Sequence, residues 1–207
     1  MVVRVPVALL VLFLTSCEDR FVSTAADPLI AAAETIDRAG DLEHARALLR
    51  KASQREVTAA EATAYLAQIE ERKSKADDCL RDLGAAIKSN IWPNRANKLY
   101  FQLAVCQELK GEHTAAMTAY NKSIELRSTL PVAFVRRGLL KEMQGDLDGA
   151  LVDLKAGAAN YLPGRLVLGL FYYRRGQPDQ VRPEIEYLKE HRPEYGRILA
   201  DLIEGKI

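Results

Sequence analysis

Residues 97–154 read NKLYFQLAVCQELKGEHTAAMTAYNKSIELRSTLPVAFVRRGLLKEMQGDLDGALVDL. Two glycines in this stretch, Gly111 and Gly145, lie 34 residues apart and open the same pattern, Gly-x-x-x-x-Ala, as GEHTAA and GDLDGA. Each stands between two amphipathic runs, where a residue in the left-handed region ends one helix before the next begins. Asp146 follows its glycine directly and suits the cap of the next helix. Pro131 falls between the two copies, a place where proline starts a helix instead of breaking one. The stretch therefore predicts two consecutive helix pairs repeated with a period of 34 residues.

The same pattern extends in both directions. GDLEHA at Gly40–Ala45 is a further copy, and Tyr65–Ile87 carries one in which Ser74 replaces the turn glycine and Cys79 the small alanine. A fifth follows at Gly176, after Leu166–Tyr173. The turn positions 40, 74, 111, 145 and 176 are separated by 34, 37, 34 and 31 residues. Pro163 and Pro193 also sit at unit boundaries. No alternating β-branched run occurs after residue 17, so strands are not expected. At the C-terminus Tyr195, Ile198, Leu199, Leu202 and Ile203 share one helical face, which predicts a terminal helix capping the array.

These spacings and residue types resemble the tetratricopeptide repeat. Tyr100, Leu103, Ala104, Ala116 and Tyr120 stand at that family's large and small positions in one unit. Phe134, Gly138, Ala150 and Leu154 do so in the next, and Leu168, Gly169, Tyr172 and Pro193 in the last. The resemblance implies an all-α, right-handed solenoid of about five helix pairs, with units near 28–59, 60–93, 97–130, 131–161 and 162–193 of an array spanning 28–193, and a cap helix over 194–207.

Ahead of the array, residues 1–17 read MVVRVPVALLVLFLTSC. The apolar run from Val5 to Leu14 is too short for a bilayer-spanning helix, which needs roughly 20 apolar residues, and matches a secretory signal. Its end, Leu14-Thr15-Ser16-Cys17, resembles the bacterial lipobox. That resemblance implies a signal peptide over 1–16 and a mature chain beginning at Cys17, whose thiol carries a diacylglycerol and further acyl chains such as palmitate. Several acyl chains give the two or more hydrophobic signals that stable anchoring requires. Residues 17–27 form a polar tether, so the protein is expected to face the periplasm from a membrane. Glu18, in place of aspartate, favours the outer over the inner membrane.

Basic and acidic residues number 29 and 28, and balance once the leader with Arg4 is removed. A neutral chain lacks the positive surplus of a nucleic-acid binder. Three cysteines and three histidines, without ligand spacing, predict no metal site. His44 and His113 fall in polar first turns and read as solvated. No nucleophile elbow or phosphate loop is present, the paired carboxylates Glu70-Glu71 and Asp77-Asp78 diverge around their helices, and no enzyme or cofactor is expected. Trp92-Pro93 closes the inserted loop before the third unit. Cys79 and Cys106 lie on neighbouring helices of adjacent units and are either a disulfide or two small buried side chains.

By resemblance, the first helix of each pair lines a concave groove. The positions concerned are Phe101, Val105 and Glu108 in the third unit, Val132, Val135, Leu139 and Glu142 in the fourth, and Leu166, Leu170 and Tyr173 in the fifth. The earlier units contribute Asp27, Ile30, Glu34 and Asp37, then Glu61, Ala64, Gln68 and Glu71. An apolar stripe is core by default, but six such residues on the nominally open face suit an apolar helix or segment of a partner protein. The expected function is a non-catalytic envelope scaffold. Its design is similar to that of pilotin lipoproteins, which assist pilus and secretion machines. The alternatives are an adaptor for a peptidoglycan hydrolase or periplasmic protease, a structural subunit of a permanent outer-membrane complex, and a homodimer.

Overall fold

The computed structural model describes residues 41–54, 62, 66, 76–88, 96–126 and 130–205. The leader, Cys17, the tether, Gly40, Ser74, Trp92-Pro93 and the first-helix positions expected in the two N-terminal units lie outside the described residues. Among the described residues the chain is all-α, with nine helices. They are α1 (Leu42–Ala52), α2 (Ala76–Lys88), α3 (Ala96–Leu109), α4 (His113–Leu126), α5 (Pro131–Met143), α6 (Leu147–Ala158), α7 (Leu162–Arg174), α8 (Pro178–His191) and α9 (Pro193–Ile203). They divide into two compact units, residues 41–126 and 130–205.

The turns follow the local chemistry. Gly111, Gly145 and Gly176 adopt φ of 79°, 85° and 65°. A Cβ at any of them would meet nothing within 4 Å, so backbone conformation and not space requires glycine there. Asp41 and Asp146 accept hydrogen bonds from the His44 and Gly149 amides at 3.1 and 3.0 Å, capping α1 and α6. The helices α5, α7, α8 and α9 instead begin with proline at the first or second position and have no side-chain cap. Pro183 lies inside α8, where it removes one backbone donor.

In the N-terminal unit α3 packs on α4, and α2 on α3. Cys79 and Cys106 join α2 to α3 as a disulfide with Cα atoms 6.1 Å apart. Leu83 and Leu99 are buried beside it, with Leu80, Ile87 and Leu103 packed around them. The buried Ser123 hydroxyl donates to the Asn97 carbonyl at 2.7 Å and ties α4 to the start of α3. At the other end Lys110 reaches Asp77 and Glu112, both at 3.1 Å. The hydrogen bond to Asp77, then that to Glu112, raises the Lys110 pKa above its ordinary value.

In the C-terminal unit α5 packs on α6, α6 on α7, α7 on α8 and α8 on α9, while α9 also reaches α7. One apolar cluster runs through it from Val135 to Leu202. Leu199 and Leu202 anchor α9 to that cluster, with Tyr195, Ile198 and Ile203 packed against its edge. The C-terminal segment is thus a cap on the core, as its one-sided periodicity predicts.

Glycine is not uniformly useful. Gly84 lies in the interior of α2, and an added Cβ would meet nothing within 4 Å. Helical glycine costs about 1 kcal/mol against alanine. Gly84→Ala is therefore expected to stabilise the protein by about 0.5–1 kcal/mol. Urea unfolding at constant m-value checks this; an unchanged or lower midpoint overturns it.

Candidate functional site

The apolar first-helix residues lie on three helices, α3 in the N-terminal unit and α5 and α7 in the C-terminal unit. Phe101 and Val105 are buried on α3. The Phe101 ring meets Tyr120 of α4 with centroids 5.9 Å apart. The Tyr120 hydroxyl donates to a Glu108 carboxylate oxygen at 2.7 Å. The Glu108 carboxylate is thus drawn towards the second helix of its pair.

Val132, Val135 and Leu139 are buried on α5, and Leu166 and Leu170 on α7. Val135, Leu139, Leu166 and Leu170 belong to one cluster, with Tyr173 half-buried at its margin. Val135 sits where two main chains come close: a Cβ on Gly157 or on Gly164 would strike its side chain. Phe101, Val105, Val135, Leu139, Leu166 and Leu170 are at most 8% exposed. They are enclosed side chains, and the face expected to be open at these positions is not solvent-exposed.

Ionic groups surround the C-terminal cluster. Glu142, expected as a groove acid, is held by Arg174 of α7 through two hydrogen bonds of 3.0 and 2.6 Å. This fork-to-fork pair links α5 to α7 and leaves the carboxylate neutralised. On the other side of α5, Asp153 of α6 is buried at 2% exposure. Arg137 donates to both of its oxygens, at 2.8 and 2.6 Å. Lys141 reaches the same carboxylate at 2.9 Å. Two cations thus share one buried carboxylate. Arg137 also lies over the Phe134 ring, 5.6 Å from its centroid. Phe134, Arg137 and Lys141 are all half-buried, and their spacing places them on one face of α5.

A second aromatic-cation assembly joins α7 to α8. The Arg165 guanidinium lies 3.6 Å from the Tyr187 ring centre and pairs with Glu184 at 3.1 Å. The His191 ring stacks on Tyr187 at 4.0 Å. Two groups that close cannot share one face of the ring, so tyrosine lies between arginine and histidine. His44 and His113 are exposed, as expected of polar first turns.

Sequence periodicity points to the apolar stripes but not to these ion pairs. Arg137 and Asp153 are 16 residues apart, and Glu142 and Arg174 are 32 apart. The only linear hint is the spacing of Phe134, Arg137 and Lys141. Among the described residues no group of three metal-ligating side chains converges, and no helix is long and apolar enough to cross a membrane. The arrangement offers aromatic and cationic contact surface over an apolar interior.

No protein-family model and no curated protein matches the sequence. Solved structures do match the fold. TTC0263, a thermophilic TPR protein of Thermus thermophilus, superposes with a TM-score of 0.69 at 16% identity, over 84% of this chain and 97% of that one. A MamA structure gives 0.61 at 17% identity, over 82% and 92%. YrrB, described as a TPR protein with an unusual peptide-binding site, gives 0.59 at 19% identity, over 88% and 93%. At these identities the likeness establishes the tetratricopeptide-type fold.

Proposed function

We propose that this chain is a non-catalytic protein-interaction scaffold, anchored to a bacterial membrane by a diacylglycerol thioether on Cys17 and facing the periplasm. It holds an apolar segment of an envelope protein against the first helices of its C-terminal unit, beside Val135, Leu139, Leu166, Leu170 and Tyr173. The observation that carries this reading is the repeat fold, together with the half-buried aromatic and cationic side chains that flank the enclosed apolar residues. YrrB, with the same fold, is described as having a peptide-binding site. Because Val135, Leu139, Leu166 and Leu170 are enclosed, a partner first meets the half-buried side chains, Phe134, Arg137 and Lys141 on α5 and Tyr173 on α7. Aromatic and arginine side chains are the residue types that dominate binding energy at protein interfaces. Helping a pilus or secretion machine assemble is the role this design suits best.

Crosslinked capture from native membranes tests the reading, comparing the intact protein with Phe134→Ser/Tyr173→Ser and with Cys17→Ser. The double variant is expected to keep its helical circular dichroism and lose one envelope partner. Cys17→Ser is expected to lose incorporation of labelled palmitate. Retention of the same partners by the folded double variant rules out these contacts. Equal incorporation of labelled palmitate by Cys17→Ser and the intact protein rules out the lipid anchor.

A further inference from the structure

We propose that the corner between α8 and α9 is a gate against exchange of the C-terminal cap between copies of this chain. Pro193 keeps α9 on its own core. With an N–H restored at position 193, α8 and α9 run on as one helix and α9 seats on a second copy.

α8 ends at His191 and α9 starts at Pro193, so Arg192 alone makes the corner. The backbone ladder of α8 is still intact there: the Arg192 N–H donates to the Leu188 carbonyl at 2.7 Å. The next donor due is that of residue 193, to the Lys189 carbonyl, and proline has none. The proline ring also pushes the preceding residue out of the helical region, and Arg192 lies at φ −155°, ψ 80°. Helices α3, α5 and α7 are each followed by a glycine of positive φ, whereas the α8–α9 corner has none. Arg192 pairs with Glu194 at 3.1 Å. Residues two apart diverge on a helix, so this pair belongs to the bent form and favours it as a surface ion pair does.

The cap itself is firmly seated. Leu199 is fully buried and fills a notch above Gly169 of α7, where a Cβ would strike its side chain. Leu202 is 8% exposed. A continuous helix would carry Ile203 on the order of 17 Å beyond Arg192 along the α8 axis, away from that notch. Both the apolar face of α9 and its seat would then be bare in a single chain. A second copy in the same state supplies the matching halves, and reciprocal exchange restores every contact of the cap. Buried side chains can carry a helix through a proline, as Val181 and Leu188 do on either side of Pro183 within α8. They cannot decide at residue 193, because exchange keeps the same burial. The backbone of the corner decides.

Native mass spectrometry of the full chain, released from detergent, tests the gate against Pro193→Ala and Pro193→Gly. Pro193 is exposed, so neither substitution removes a core side chain. The intact protein is expected at the mass of one chain. Pro193→Ala is expected to double in mass as concentration rises. Pro193→Gly restores the same N–H in a residue that disfavours helix, and is expected to stay at one chain. In the doubled species the Glu194 amide gains the Glu190 carbonyl as acceptor, and should exchange at least about tenfold more slowly than in the intact protein. The gate is overturned if Pro193→Ala stays at one chain throughout the series, or if the intact protein already doubles. Equal doubling of Pro193→Gly overturns it too, as does a doubled species whose Glu194 amide exchanges as fast as before.

Discussion

Asp153→Ala is expected to lower the stability of the C-terminal unit by about 3 kcal/mol. The Asp153 carboxylate is 2% exposed and receives Arg137 through both oxygens and Lys141 through one. Alanine leaves two cations facing the space of their lost counter-charge and puts a small void beside them. Breaking a buried pair by removing one partner costs about 3–5 kcal/mol. The low end applies because the Arg137 and Lys141 side chains, 16% and 23% exposed, can swing towards water. Arg137→Ala leaves Lys141 on the carboxylate and should cost less than half as much. Urea unfolding of the three proteins checks the order. If Asp153→Ala loses less than about 1 kcal/mol, the cluster is no more than a surface ion pair.

Gly196→Ala is expected to lower stability by about 2 kcal/mol, against the direction of helix propensity. Gly196 lies within α9, and alanine there gains about 1 kcal/mol of propensity. An added Cβ, however, would lie 2.6 Å from the Lys189 amide nitrogen and 2.9 Å from its Cα. These are main-chain atoms of α8 and cannot rotate aside, so α9 must lift from its seat. Overpacking of this kind costs roughly 1–3 kcal/mol or more, and the backbone contact puts it at the high end. Lifting α9 also withdraws Leu199 and Leu202 from the cluster, so proteolysis after residue 192 should accelerate with the loss of stability. An unchanged denaturation midpoint would show that α8 and α9 slide apart without cost.

What could be read from the sequence was local. The glycines at 111, 145 and 176 and the aspartates at 41 and 146 act within a few residues of themselves. The prolines at 131, 163 and 193 fix their own φ. Their positions in the structure follow from those properties. The helical face of Tyr195, Ile198, Leu199, Leu202 and Ile203 was legible for the same reason. The site was less so. A periodic apolar stripe such as Val135–Leu139 tells that a surface is covered but not what covers it. Here Val135 is covered by the chain's own close approach at Gly157 and Gly164. The pairs Asp153–Arg137 and Glu142–Arg174 depend on the packing of helices distant in sequence, which no linear spacing encodes. The cysteine pair lay between these cases: adjacency of units placed the two on neighbouring helices, and only the 6.1 Å Cα separation decided for a bond.

The meeting of Gly157 with Gly164 also limits how this protein can change. A Cβ on Gly164 would stand 2.8 Å from the Gly157 carbonyl oxygen and 3.0 Å from its carbon. Where side chains touch, a loss on one wall can be answered by a gain on the other, and pairs covary. Two main chains in contact have no such exchange to make. A substitution at this seam has no compensating partner across it, so suppressors must come from shifts of whole helices, while the apolar residues around it remain free to drift in size and shape.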